Sequence, residues 1–179
     1  KADSTGSVAI GTEAEASGLM NSTALGYKSN ASGWSSFAQG TLALASGDKS
    51  ISIGDLSKAT ADRSIAIGDA ASTDNQSASN TSTTKTQTDN KQSVAIGPWA
   101  QAWGDQSTAI GNNVKSSGNS SVAIGGDDID KVRDAYGNLY QNITGQALPG
   151  GYPATESAGG ASVAVGVGAS SQGHFSTAI

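Results

Sequence analysis

The sequence predicts an all-β fold, a parallel β-solenoid whose coils each contain two short strands. A pentapeptide related to Ser-Val-Ala-Ile-Gly recurs with a 14-residue period, and internal repeats of this kind are typical of solenoids. Larger and smaller side chains alternate within each copy, which is the periodicity of a strand. The composition favours thin coils, because the 179 residues include 28 Ala, 28 Ser and 24 Gly but only 28 Val, Ile, Leu and Phe together.

Ten copies of the pentapeptide predict the strands on one side of the coils, and the last copy is incomplete. A looser alternating segment closed by Gly, such as residues 43–47, predicts the strand on the other side. The glycine at the end of each strand is expected to supply the positive φ of a tight corner. The copies begin at Ser7, Ser22, Ser36, Ser50, Ser64, Ser93, Ser107, Ser121, Ser162 and Ser176, with steps of 15, 14, 14, 14, 29, 14, 14, 41 and 14.

Other repeat architectures fit the sequence less well. A helix is opposed by Gly near every seventh position and by enrichment in Ser, Thr and Val. A three-sided left-handed helix of the acyltransferase kind needs a period of six. The calcium-binding nonapeptide roll needs a recurring Gly-Gly-x-Gly-x-Asp, and we assign no Asp a fixed place in this repeat. The sequence therefore predicts two-sided coils.

The Val and Ile residues of the repeat share one face of their strand, and the Ser, Ala and Gly residues share the other. We expect Val and Ile to fill the interior of the roll, with small residues of one strand at contacts between chains. Two large aliphatic residues per coil bury too little apolar surface to order 14 residues, so we also expect an obligate homo-oligomer. The predicted core residues are Val8, Ile10, Ile51, Ile53, Ile65, Ile67, Val94, Ile96, Ile110, Val122, Ile124, Val163 and Val165.

The repeated pentapeptide in its 14-residue frame resembles the YadA-like head of trimeric autotransporter adhesins of Gram-negative bacteria. The resemblance covers most of residues 7–72, 93–125 and 162–179. It implies a left-handed parallel β-roll, assembled as a homotrimer and displayed on the cell surface at the tip of a coiled-coil stalk. It also implies an outer-membrane β-barrel anchor elsewhere in the full protein. Because the last repeat is cut short and heptads and a neck motif are lacking, we expect a fragment of such a head.

Residues 1–179 are predicted to form a single β-roll head fragment with insertions at about 74–92 and 126–160. The first insertion has no large apolar residue, which favours a solvated loop over a degenerate coil. The second places Ile129, Val132 and Tyr136 at helix-like spacing, so a short helical turn is possible. This second segment is either a flap that packs its aromatic residues on a neighbouring subunit or a loop that binds a ligand.

Aromatic residues are the candidates for surface binding, since Trp is enriched at binding hot spots. The alternative is that they fill a thin region of the coil or a groove between subunits. The candidate residues are Trp34, Trp99, Trp103, Tyr136, Tyr140 and Tyr152.

Three polar features have mainly structural interpretations. Gln39 replaces an aliphatic residue of the repeat, and we hypothesise that its symmetry-related copies form a polar layer near the oligomer axis. His174, the single histidine, is expected at the surface or between coils. The acidic cluster could bind a divalent cation but is more typical of a solvated loop edge. It consists of Asp127, Asp128 and Asp130. We predict no catalytic residues, no metal site and no cofactor, because no Ser-His-Asp grouping can be singled out.

The expected function is that of a non-enzymatic cell-surface adhesin head. The resemblance implies multivalent attachment to extracellular matrix proteins such as collagen, fibronectin or laminin, to cells, or to abiotic surfaces. The alternative is a structural spacer that holds a more distal binding domain. Ice binding lacks a regular Thr-x-Thr array, and a polysaccharide-cleaving β-helix needs longer coils and clustered carboxylates. The net charge of −5 opposes nucleic-acid binding, and membrane contact is expected only through an anchor absent from this fragment.

Overall fold

The computed structural model describes residues 1–72, 92–148, 150–151 and 153–179, apart from the side chains of residues 130–132. The chain forms a parallel roll in which successive strands alternate between two sides. The ten-stranded first sheet contains β1 (Val8–Ile10), β3 (Thr23–Leu25), β5 (Phe37–Gln39), β7 (Ile51–Ile53), β9 (Ile65–Ile67), β10 (Val94–Ile96), β12 (Thr108–Gly111), β14 (Val122–Gly125), β16 (Val163–Val165) and β18 (Thr177–Ala178).

The opposite side, which we call the second sheet, consists of two four-stranded ladders. A single helix, α1 (Asp130–Thr144), is inserted between the two sides of one coil in the described part of the chain. The first ladder contains β2 (Glu15–Ala16), β4 (Asn30–Ala31), β6 (Leu44–Ala45) and β8 (Lys58–Ala59). The other contains β11 (Gln101–Ala102), β13 (Val114–Ser116), β15 (Thr155–Ser157) and β17 (Ser170–Ser171).

The 14-residue period sets the strand register between neighbouring coils of the roll. Equivalent residues of neighbouring coils lie opposite each other in parallel pairs, as Ala95 does with Ala109. β9 pairs directly with β10, and Ser72 bridges both Lys58 and Gln101. The predicted parallel β-solenoid is therefore confirmed. The first predicted insertion, 74–92, lies outside the described part of the chain except for Gln92. The choice between a loop and a degenerate coil there stays a prediction.

The interior of the roll is filled by Ala and Ser, so the prediction of a Val and Ile core is wrong. The central residue of each first-sheet strand points inward, and Ala24, Ala95 and Ala123 are fully buried. Their Val and Ile neighbours point outward, and every predicted core residue is half-buried or exposed in the chain. The corrected residues are Val8, Ile10, Ile51, Ile53, Ile65, Ile67, Val94, Ile96, Ile110, Val122, Ile124, Val163 and Val165.

The physical reason is the narrow gap between the two sides of a coil. Ser116 ends a strand of the second sheet and Ser121 precedes the next strand of the first sheet. Their hydroxyl oxygens lie 2.7 Å apart across the interior. Side chains as short as serine already meet across this gap, and a close-packed interior leaves no space there for a Val and Ile pair in every coil.

Buried serines are hydrogen-bonded where both sides of a coil carry one. Ser121 donates to the carbonyl oxygen of Gly118 at 2.6 Å in addition to its contact with Ser116. Ser107 occupies the same position one coil earlier, where the residue equivalent to Ser116 is Ala102. The Ser107 hydroxyl is buried and has no hydrogen-bond partner. A buried serine at this position therefore contributes differently to the free energy of unfolding in adjacent coils.

We predict that Ser121→Ala lowers the free energy of unfolding by about 1 kcal/mol, because it removes a satisfied buried hydrogen bond and leaves Ser116 without its partner. Ser107→Ala is the matched control, and it should leave stability unchanged or raise it, because the lost hydroxyl is unsatisfied. Denaturant unfolding followed by circular dichroism measures both. Equal losses in the two variants would contradict this account of the interior.

Glycine has different roles in the two turns of each coil. In the first turn, which follows a first-sheet strand, Gly40 has a φ of 131°, and a Cβ there would overlap the carbonyl of Gly54 in the next coil. In the second turn, which follows a second-sheet strand, Gly33 is needed only because the backbone of Gly47 approaches it closely. The left-handed residue there is Ser35, with a φ of 52°. The expectation that glycine supplies the positive φ at both corners is therefore wrong for the second turn.

The second insertion begins at the first turn after β14. Its helix confirms the helical interpretation of the spacing around Val132 but extends to Thr144. Gly145 ends the helix in a left-handed conformation, with a φ of 74°. β15 pairs with β13 and β17, so the chain has rejoined the second sheet by Thr155. The inserted segment is therefore shorter than the predicted 126–160.

Candidate binding surfaces

The outward side of the first sheet is largely apolar, and we call it the apolar face. Ile10 is 63% exposed in the chain and Ile124 is 39% exposed. A contiguous apolar sheet surface is typical of a site that another protein covers. The face is formed by Val8, Ile10, Thr23, Leu25, Phe37, Gln39, Ile51, Ile53, Ile65, Ile67, Val94, Ile96, Thr108, Ile110, Val122, Ile124, Val163, Val165 and Thr177.

Gln39 lies on this apolar face and not inside the coil. It is in register with Leu25 in the preceding coil and Ile53 in the following one, and it is exposed in the single chain. The predicted polar layer therefore depends on the association of several chains and stays a prediction.

The outward side of the second sheet is polar and carries charges of both signs. Trp103 lies here, half-buried, and not at a coil edge. Lys115 Nζ lies 4.9 Å from the centroid of its ring and also forms an ion pair with Glu156 at 3.3 Å. The indole nitrogen of Trp103 is buried without a hydrogen-bond partner. These contacts identify Trp103 as a packed residue of the sheet surface.

The edge formed by the first turns exposes large apolar side chains in its central coils. Leu42, Leu56 and Trp99 are each between 43% and 51% exposed, and all three have a left-handed backbone with φ between 56° and 58°. This conformation costs roughly 1–2 kcal/mol for a residue with a Cβ. The Trp99 N–H donates to the carbonyl of Asp69 in the adjacent coil at 2.9 Å, which offsets part of that cost.

One charged group on this edge has a shifted pKa. Lys28 Nζ lies 5.2 Å from the centroid of the Tyr27 ring and 3.5 Å from a carboxylate oxygen of Glu13. Interaction with the Tyr27 side chain, followed by the charge of Glu13, raises the pKa of Lys28 above its ordinary value.

The edge formed by the second turns is stabilised by side-chain acceptors that the sequence analysis missed. Asp48 accepts a hydrogen bond from the backbone N–H of Trp34 at 2.9 Å, and Asp62 accepts one from the N–H of Asp48 at 3.0 Å. Asn119 accepts from Asp105 in the same way at 3.1 Å. We call this series the acceptor ladder. Asp therefore does hold a recurrent place in the repeat, directly after the small residue that opens the second turn.

His174 occupies the same position of its coil. Its Nδ1 accepts a hydrogen bond from the N–H of Gly160 at 2.9 Å, and the ring is exposed. The prediction of a surface or inter-coil histidine is confirmed. The sequence signal was available, because Asp48, Asp62, Asn119 and His174 share one position relative to the Ser that begins each repeat.

Trp34 stands beside two steps of the acceptor ladder. It is 41% exposed, and Lys49 Nζ lies 4.9 Å from the centroid of its ring. Trp34, Asp48, Lys49, Asp62 and Arg63 line a shallow pocket of about 80 Å³. We call it the Trp34 pocket.

The acceptor ladder gives a direct test of the second turn. Asp62→Ala should lower the free energy of unfolding by about 1 kcal/mol, because the N–H of Asp48 loses its acceptor. Asp62→Asn keeps an acceptor oxygen and should retain most of the stability. Thermal unfolding of the two variants measures the difference. A loss as large for Asp62→Asn as for Asp62→Ala would show that the carboxylate charge, and not the hydrogen bond, is what matters.

The predicted aromatic candidates do not converge on one patch. Trp34 lies on the second-turn edge, Trp99 on the first-turn edge and Trp103 on the face of the second sheet. Tyr136 and Tyr140 lie on α1, where they are 61% and 40% exposed. The remaining candidate, Tyr152, lies outside the described residues.

In the acidic cluster at the start of the second insertion, Asp127 has a structural role. The two carboxylate oxygens of Asp127 accept hydrogen bonds from the side-chain amides of Asn112 at 2.7 Å and Asn113 at 3.1 Å. Asp128 is exposed. Within the described residues, no group of three or more His, Cys, Asp or Glu side chains is arranged to hold a metal ion. No described helix combines the length and apolar character needed to cross a membrane.

These features define a repeat protein whose candidate surfaces lie on the outside of a thin solenoid. Five segments match the family model described as the YadA head domain repeat (2 copies), namely residues 2–19, 20–43, 45–71, 89–113 and 157–179. They cover more than half of the chain, and the chain belongs to the YadA head family. Heads of this family are non-enzymatic, adhesin-type domains of trimeric autotransporters at the cell surface. No curated protein matches the chain significantly.

The family match leaves out residues 114–156, which include β13 and α1. β13 nevertheless pairs with β11 in the register of the other coils. The helix is therefore an addition to a roll that continues on both sides of it.

Proposed function

We propose that the chain is the adhesive head of a trimeric autotransporter, held at the surface of a Gram-negative bacterium by an outer-membrane anchor outside this sequence. Its role is to attach the cell to extracellular matrix proteins such as collagen, fibronectin or laminin, to other cells, or to abiotic surfaces. The observation that carries this proposal is the match of the family repeat along the coils. The roll adds a rigid surface that repeats along its length.

The homotrimer forms through the apolar face. Each chain has an interior of Ala and Ser and keeps its largest aliphatic side chains outside, as Ile10 and Ile96 illustrate with exposures of 63% and 37%. Three such faces around one axis build the hydrophobic core that a single roll lacks. Gln39 then forms a polar layer in that core, since the amides of three related copies can donate to and accept from one another.

We predict that replacing Ile51 and Ile53 together by Ser dissociates the trimer, because it places two hydroxyls per chain in an apolar contact. Leu44→Ser is the control, since Leu44 is an outward aliphatic residue of the second sheet. Sedimentation equilibrium should give three times the 17.6 kDa of the chain for the parent and the control, and a smaller mass for the double variant. A parent protein that sediments as a folded single chain would refute the trimer.

Adhesion by this head is multivalent, because three chains present the same surfaces at fixed spacing and their weak contacts act together. We expect the trimer to be retained on surfaces coated with collagen, fibronectin or laminin, or on bare polystyrene. The Ile51 and Ile53 double variant should bind at least about tenfold more weakly through loss of avidity. An albumin-coated surface controls for non-specific retention. A trimer that none of these surfaces retains would argue against adhesion and for the spacer function.

A further inference from the structure

The Trp34 pocket combines an exposed aromatic ring with charged groups that have few partners in the chain. Neither Lys49 nor Arg63 forms an ion pair with a carboxylate of the described residues. Asp48 and Asp62 each commit Oδ1 to a backbone N–H of the ladder. Their Oδ2 atoms accept no hydrogen bond from the described residues. The pocket thus presents free acceptors and free donors within two successive coils.

We propose that the Trp34 pocket binds a neutral pyranose ring, so that the head contains a glycan subsite on its second-turn edge. Lys49 lies over one face of the indole ring, and the C–H groups of the sugar ring pack against its other, electron-rich face. The Oδ2 atoms of Asp48 and Asp62 accept hydrogen bonds from sugar hydroxyls, and the Arg63 guanidinium donates to hydroxyl or ring oxygens. Groups of this kind, convergent around a partly apolar wall, are what small-molecule sites require.

The composition of the pocket selects among ligand classes. Its two carboxylates balance the charges of Lys49 and Arg63, and the chain carries a net charge of −5. No excess of positive charge therefore attracts an acidic sugar or a phosphate. A pocket of about 80 Å³ accommodates part of one ring.

The backbone holds these groups in place without ligand. The N–H of Lys49 donates to the carbonyl of Trp34 at 2.7 Å, and the N–H of Arg63 donates to the carbonyl of Asp48 at 2.7 Å. The positions of Trp34, Lys49 and Arg63 along the edge are therefore fixed by the coil-to-coil register. Little backbone ordering is needed when a sugar binds, which favours binding by a small site.

This subsite deepens the proposed adhesive function, because three weak glycan contacts per trimer would act together on a glycosylated surface. All five residues that line the pocket belong to one chain. A test with monomeric sugars in solution therefore separates failure of the subsite from failure of adhesion.

The test uses the whole head and the methyl pyranosides of glucose, galactose and mannose, followed by the indole N–H resonances of the three tryptophans. At least one glycoside should shift the Trp34 resonance saturably, with a dissociation constant in the millimolar range, and leave Trp99 and Trp103 unmoved. The Trp34 variants lack this reporter, so their binding is measured from the proton resonances of the glycoside itself, and Trp34→Ala should weaken it at least about tenfold. Trp34→Tyr should retain part of it, which guards against a folding defect as the cause. Trp99→Ala, on the opposite edge, should bind normally.

The acidic residues have a matched control in the same two coils. The double variant D48N/D62N keeps the ladder acceptor oxygens but replaces each Oδ2 acceptor by an NH2 donor, and it should reduce glycoside binding about tenfold. D55N/D69N changes two Asp of the first-turn edge and should have no effect. No saturable shift with any of the three glycosides would overturn the proposal. So would binding of methyl glucuronide alone, or equal losses in the two Asp double variants. If Trp34→Ala still bound matrix proteins, adhesion by the head would not require the glycan subsite.

Discussion

The narrowness of the coil is the constraint on which the rest of this structure depends. Short turns bring the two sides so close that the hydroxyls of Ser116 and Ser121 meet at 2.7 Å. Among the described residues, the side chains fully buried between the two sides are those of Ala, Ser, Val114 and Thr155. The interior therefore provides close packing and hydrogen bonds but little apolar area. Any further hydrophobic stabilisation has to come from the outside of the roll.

In the proposed trimer, this constraint couples folding to association. Val and Ile of the first sheet have β-branched side chains that suit a strand, yet they cannot turn inward. They accumulate on one outward face because equivalent residues of successive coils stack on each other, as Ile51 and Ile65 do. A face that is apolar in nearly every coil is unfavourable in water and complementary to a copy of itself. The proposed trimer follows from the same narrow coil that excludes these residues from the interior.

The sequence predicts the fold well and the placement of its faces poorly, for a definite reason. A 14-residue period fixes which residues stack, so the pairing of Ala95 with Ala109 could be predicted directly. An alternation with period two places Val and Ile on the opposite face of the strand from Ala, but it does not indicate which face points inward. That choice depends on the distance between the sheets, which the turns set. The recurrent position of Asp48 was visible in the sequence, but its role was not, because it accepts a hydrogen bond from the backbone N–H of Trp34 one coil away.

The turns are where this roll can vary without loss of its fold. The left-handed position of a turn is filled by residues as different as Lys49, Leu56 and Trp99, since it requires a φ and a backbone hydrogen bond and little else. On the second-turn edge, a side chain that accepts a hydrogen bond from a backbone N–H is supplied by Asp62 in one coil and by His174 in another. A sequence can therefore change the chemistry of its edges while the strands stay the same. Binding residues are expected at the turns for that reason, and the Trp34 pocket is built from structural acceptors whose second oxygen is free.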